Sequence, residues 1–166
     1  MPISNYLREL RGLVGPKPLL TPGADALVYN DEGHLLLVRR SDNGLWGVPG
    51  GQLDPLEPPA LGVVREVYEE TGLKVRPIKL VGIFGRTDAF RLRYPNGDEV
   101  NPIVSLFECR VVGGQLGNRD GEATEARFFV PNALPAERTP ITDHLLDAFR
   151  KQSAFDWDET WLAGLE

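Results

Sequence analysis

Three glutamates, Glu66, Glu69 and Glu70, stand at i, i+3 and i+4 within residues 51–73, GQLDPLEPPALGVVREVYEETGL. On a helix this spacing places them on one face. Like charges so arranged cost an isolated helix roughly 0.2–0.5 kcal/mol per pair. A helix that only packs has no reason to accept that cost. One that holds hard divalent cations does, because Mg²⁺ seeks carboxylate oxygen. Asp54 and Glu57 add two carboxylates just upstream. The competing reading of such a charge run is a solvated acidic face.

The element that must position these acids is legible around them. Pro58 and Pro59 fit a helix start, where a missing N–H is no loss. Gly72 fits a left-handed stop. Leu61, Val63, Val64 and Val67 fall opposite the acids and are expected to sit on a core. Arg65 is expected to pair with the neighbouring acids and hold them in place, since its planar fork fits carboxylates.

The stretch resembles the Nudix box: Gly, five residues, Glu, seven residues, Arg-Glu, an aliphatic, any residue, Glu-Glu, any residue, Gly, an aliphatic. Those positions are Gly51, Glu57, Arg65, Glu66, Val67, Glu69, Glu70, Gly72 and Leu73, so every specified position matches over 23 residues. LLLVRR before the box, GLWGVPGG leading into it and EARFFV after it are also similar to the family. Two positions depart from the pattern: Leu56 stands where a Gly commonly precedes the box Glu, and Gly62 where a small Ala is usual.

The resemblance implies an α/β protein of the Nudix fold, a mixed β-sheet sandwiched between α-helices. It implies Mg²⁺, with Mn²⁺ able to substitute, held by Glu66, Glu69, Glu70 and a backbone carbonyl at Gly50, with Glu57 in support. It names Glu66, Glu69, Arg65 and a loop carboxylate as the catalytic set. Glu122 is the candidate for that carboxylate ahead of Glu125. The general base stays open among Glu66, Glu69 and Glu122. The implied reaction is hydrolysis of the pyrophosphate bond of a nucleoside diphosphate linked to another moiety, with ADP-ribose or a nucleotide sugar favoured by analogy. The alternatives are a nucleoside triphosphate pyrophosphohydrolase that sanitises the nucleotide pool, and a nucleotide-binding module without catalysis.

The remaining composition sets bounds. A length of 166 residues suits one domain, 1–166, with a core over about residues 20–150. The net charge of −6 offers no general basic field for nucleic acid; the small-molecule nucleotide partner is what the resemblance implies. Cys109 is the single cysteine, in the apolar run VSLFECRVV, and reads as an ordinary strand residue. No stretch reads as a signal peptide or membrane span, and a reducing cytoplasm is the expected setting.

Along the chain, residues 4–14 read as a helix capped by Ser4 or Asn5, used either on its own domain or as a homodimer contact. Residues 23–30 and 34–40 read as a hairpin closed by Asp31-Glu32-Gly33. Alternation directs one of Arg39 and Arg40 towards the site. Trp46 is either core or cleft lining. Residues 74–86 read as a strand broken near Pro77, paired with one from about Val100 to Val112 beyond an Asn96-Gly97 turn. Arg86, Arg91 and Arg93, with Phe90 and Tyr94, form a candidate clamp on phosphate and a base or sugar. The candidate substrate-binding residues are therefore Arg40, Trp46, Arg86 and Arg93. Residues 125–130 read as a strand. Thr139-Pro140 opens a helix to about Lys151 with Ile141, Leu145, Leu146 and Phe149 inward. Trp157 and Trp161 suggest a short terminal helix or a partner surface.

Overall fold

The computed structural model describes residues 5–85, 88–94, 96–117 and 121–165. Its strands are β1 (Leu19–Tyr29), β2 (Leu35–Arg40), β3 (Trp46–Gly47), β4 (Gly50–Gln52), β5 (Leu73–Phe84), β6 (Leu92–Arg93), β7 (Glu99–Gly114) and β8 (Ala123–Phe129). Its α-helices are α1 (Asn5–Val14), α2 (Pro59–Thr71) and α3 (Pro140–Arg150). The strands form one mixed sheet with a path β3-β2-β1-β7-β5; β4 pairs with β1, β6 with β7 and β8 with β2.

The central pair β1–β7 is parallel, running from Leu19↔Val100 to Tyr29↔Arg110. Parallel neighbours need a long crossover, and here the crossover carries α2. The expected hairpin at residues 31–33 closes as foreseen: Asn30 Oδ1 accepts the amides of Glu32 and His34. It is short, however. Tyr29↔Leu35 is its registered pair, after which β2 departs to β8 and β3. The first strand also begins at Leu19, ahead of residue 23, because β7 offers it a partner along its whole length.

Helix α2 lies on one face of the sheet. Val63 and Val67 are fully buried there with Ala24, Ala26, Val28, Leu36, Val75 and Cys109. Leu61 was expected in this core but is exposed; it sits in the first turn, beyond the rim of the sheet contact. Burial raises the Cys109 thiol to about 12, as suits an inert strand residue. Helix α3 covers the opposite face, where Leu145, Leu146 and Ala148 pack with Leu27, Leu35, Leu37, Phe84 and Leu106. The result is helix, sheet and helix in layers. Thr139 caps α3 by accepting the Thr142 amide at 3.2 Å.

Local signals hold at the other ends. Gly72 has φ 72° and donates its N–H to the Tyr68 carbonyl. The β5–β7 register shifts between Pro77 and Lys79, where proline cannot donate to the ladder. Helix α1 packs on its own chain: Leu7 is buried, and Arg11 donates to the Gly15 carbonyl and to that of Glu99. The capping candidate Ser4 lies outside the described residues. Residues Glu159–Leu165 form a 3-10 helix, and its Trp161 meets Trp157, which precedes it, edge to face at 5.9 Å. No described helix is long and apolar enough to cross a membrane.

The two departures from the box pattern now have physical accounts. Gly62 is buried, and a Cβ there would meet the tip of the Leu53 side chain, which would have to swing aside, with Glu57 Oε2 at 3.1 Å. Leu56 adopts φ 67°, a left-handed conformation suited to the glycine it replaces, and its side chain is wholly exposed. Leu56→Gly is therefore expected to stabilise the protein by about 1 kcal/mol through relief of that backbone cost. Urea unfolding midpoints check it; a destabilised variant would show that the loop gains nothing from glycine there.

Candidate active site

Arg65 organises the acid face of α2. Its guanidinium has five N–H donors, and five bonds leave it. Nε donates to Glu57 Oε1 at 2.8 Å and Nη2 to Glu57 Oε2 at 2.8 Å. Nη1 donates to Glu66 Oε1 at 2.9 Å and Glu69 Oε2 at 3.0 Å. Nη2 also donates to the Gln52 carbonyl at 3.0 Å, tying the helix to β4. Arg65 was placed in the catalytic set; with every donor engaged on protein it is a positioning residue. Glu57 was placed among the metal ligands. Both its oxygens face Arg65 and one also accepts the Asp54 amide, so its geometry is that of an anchor for Arg65.

Glu70 turns inward, is 4% exposed, and accepts the Gly50 amide at 3.0 Å. Glu66 lies against Gly51, where an added Cβ would stand 2.6 Å from its carboxyl carbon. Gly50 has φ 153° and abuts Asp25, opposite it in the β1–β4 ladder. Only glycine lets backbone come this close to the acids. Asp25 was not among the expected site residues. Burial and the charge of Glu66 raise its pKa to about 7, against the pull of Arg40. Burial likewise raises Glu66 to about 7 despite Arg65, and lifts Glu70 well above the ordinary carboxylate range. Asp25 was nonetheless findable: a carboxylate inside the apolar run ADALVYN is the kind of buried polar group that asks for an explanation.

The donor set fits a hard divalent cation. Glu66, Glu69, Glu70 and Asp25 offer carboxylate oxygen, and burial beside like charge raises Asp25, Glu66 and Glu70, a cost that a cation would relieve. Among the described residues no three His, Cys, Asp or Glu side chains already converge as a cage. The cause is visible: Arg65 holds Glu66 and Glu69, while Glu70 is turned to Gly50.

Beside these groups opens a cavity of about 520 Å³, within the range of small-molecule sites. It is lined by Asp25, Gly50, Gly51 and Gln52 of the β1–β4 pair, by Asp88, Arg91, Arg93 and Tyr94 ahead of β7, by Arg40 and Asp42 at the end of β2, and by residues 139–142 at the start of α3. Arg40 is the inward member of its pair, held by Asp42 through bonds of 3.0 and 2.7 Å. Arg39 instead donates to the Gly44 carbonyl. Trp46, carried as a substrate-binding candidate, is 7% exposed and stacks edge-on with Phe129 at 4.9 Å; it is core. Phe90 is core as well. Arg93 reaches the cavity, and Arg86 lies outside the described residues. The Glu122 carbonyl accepts the Ser41 amide at 2.9 Å, and its carboxylate adds negative field at Glu66 and Glu70. Glu125 pairs instead with Arg127 on β8.

The raised carboxyls make stability pH-dependent with a definite sign. Asp25 and Glu66 bind protons more tightly folded than unfolded, so the folded state loses stability as pH rises from about 4 to about 7. Calorimetry of the chelated protein should show a melting temperature falling across that window, with a shallower fall in Asp25→Asn. An unchanged slope in the variant would remove Asp25 from this role.

The NUDIX domain model matches residues 19–149. A MutT-like protein of Streptomyces ambofaciens is 34% identical over 145 residues, covering 86% of this chain and 85% of its own length. An ADP-ribose pyrophosphatase of Methanocaldococcus jannaschii is 36% identical over 114 residues, covering 67% of this chain and 62% of its own. The crystal structure of an ADP-ribose pyrophosphatase from Streptococcus suis superposes with a TM-score of 0.58 at 28% identity, covering 82% of this chain and 98% of that one. A family match over most of the chain, on a layered fold whose acid helix keeps every box position, has one meaning: this protein belongs to the Nudix hydrolases.

Proposed function

We propose that the protein cleaves the pyrophosphate bond of a nucleoside diphosphate linked to a second moiety, ADP-ribose or a nucleotide sugar, with Mg²⁺ as the working ion. The observation that carries this reading is the mixed lining of one cavity: Gly50 and Gly51, which abut carboxylates of α2, share it with arginines and a tyrosine. Acidic and cationic surfaces in one cleft suit a substrate with a diphosphate centre and polar groups on both sides. The similarity to two ADP-ribose pyrophosphatases supports the same class.

In this reading Glu66, Glu69 and Glu70 hold the ion, with the Gly50 carbonyl beside them. A divalent cation there would polarise water and offset phosphate charge. Arg65, fixed by Glu57, keeps Glu66 and Glu69 within reach of one another. Asp25 lines the same cavity. Glu122 is the candidate loop carboxylate, supported by the field it exerts at Glu66 and Glu70. Arg40, partly neutralised by Asp42, steadies the phosphates without trapping them.

The double variant Glu69→Gln, Glu70→Gln should lower Mg²⁺-dependent cleavage by more than about a hundredfold, beyond what loss of a supporting contact costs. Product identity from a substrate panel decides the rest: AMP and a sugar phosphate support this reading, and pyrophosphate release from a nucleoside triphosphate would replace it. No cleavage across the panel by the parent protein would favour a binding role.

A further inference from the structure

A second charge cluster, at the approach to β7, contributes Arg91 and Arg93 to the same cavity. Glu99 opens β7, lies across the ladder from Arg93, and is 8% exposed. Its Oε1 accepts Arg91 Nε at 2.7 Å, and its Oε2 accepts Arg93 Nε at 2.9 Å. Its backbone carbonyl accepts a bond from Arg11 of α1, whose Nε is also 3.7 Å from Asp98 Oδ2. One buried carboxylate, secured by both a ladder and a helix, therefore orients two guanidiniums side by side.

The manner of attachment is informative. Both arginines use Nε on Glu99, and their Nη groups make no bond among the described residues. The Nη edge is the part of the fork that grips a phosphate in bidentate fashion. Two guanidiniums repel each other, and the one acid bonded to both leaves their Nη edges for a further anion. Both line the same cavity as Asp25, Gly50 and Gly51. Asp88 also lines it and its charge acts on Arg91, but its side chain bonds neither guanidinium among the described residues. Arg91 and Arg93 stay 48% and 68% exposed, so Glu99 fixes their stems while their outer edges remain open to an arriving ligand.

We propose that Arg91 and Arg93, oriented by Glu99, form a subsite for a phosphomonoester that the substrate carries in addition to its diphosphate link. The proposal rests on the diphosphatase reading above and narrows it to substrates with a third phosphate off the cleaved chain. Glu99 is a positioning residue in it, and Arg11 supports Glu99.

Inorganic phosphate titrated into the full, chelated chain tests the subsite directly, read from the arginine Nε–H resonances. Saturable shifts are expected at Arg91 and Arg93, lost in R91A/R93A, and weakened about tenfold in E99Q, which keeps both arginines but can accept only one of them at its amide oxygen. Absence of those shifts, or unaltered affinity in the double variant, overturns the proposal. Turnover gives the second arm: coenzyme A against dephospho-coenzyme A, and NADP⁺ against NAD⁺, each pair differing by one phosphomonoester. The parent should prefer the phosphorylated member of at least one pair by about tenfold in kcat/KM, and R91A/R93A should bring that ratio near one. Equal turnover within both pairs overturns the proposal. Hydrolysis without phosphate binding at the arginines would leave the diphosphatase reading intact while removing the subsite. Phosphate binding at the arginines without hydrolysis of any diphosphate would remove the diphosphatase reading, and this proposal with it.

Discussion

The structure depends on one guanidinium keeping several carboxylates in company. Glu57, Glu66 and Glu69 all bond Arg65, while Glu70 and Asp25 lie close by and feel Arg40 only through its field. One guanidinium bonded to three of five acids cannot neutralise them all. What it can do is fix where three of them point, because its five donors leave no rotational freedom. Removing it would leave partly buried acids facing one another, which is far more costly than never having paired them. The apolar half of α2, Val63 and Val67, supplies the packing that keeps the helix down despite this repulsion.

The site is assembled from two mechanically separate parts. The acid wall depends on backbone approach: Gly50 and Gly51 let β4 run against Glu66, Glu70 and Asp25 with no Cβ between. The arginine wall depends on side-chain scaffolding: Glu99 grips Arg91 and Arg93, and α1 reaches across to hold Glu99 through Arg11. The first part is set by the central sheet and the second by the chain's beginning and a hairpin. Sequence change in one can therefore proceed with little disturbance to the other.

This division also explains what was legible beforehand. Signals that act within a few residues were readable: Pro58-Pro59 and Gly72 bounding α2, Thr139 capping α3, the break at Pro77, and the inward choice between Arg39 and Arg40. The acid spacing was readable for the same reason. Contacts joining distant segments were not. Asp25 becomes a site residue only because β4 folds back beside β1. Trp46 could be core or cleft on sequence grounds, and Phe129, more than eighty residues away, decides for core. Glu57 carries a box signature but no mark saying that both its oxygens would be taken by Arg65. Leu56 is the reverse case, a residue whose identity conflicts with its backbone and whose conformation follows the loop rather than its side chain.

The parallel pairing of β1 with β7 bears on how the chain reaches this state. Residues 19–29 must find residues 100–110, so the closure joining them spans about eighty positions and encloses the whole of α2. Such distant pairing is entropically expensive and slow relative to local helix formation. The acid-bearing helix and its contacts with Gly50 and Asp25 fall within residues 19–71, so they can gather before that closure. The cavity they share with Arg91 and Arg93 has no such independence: its two contributing segments stand together only when β1 and β7 have paired.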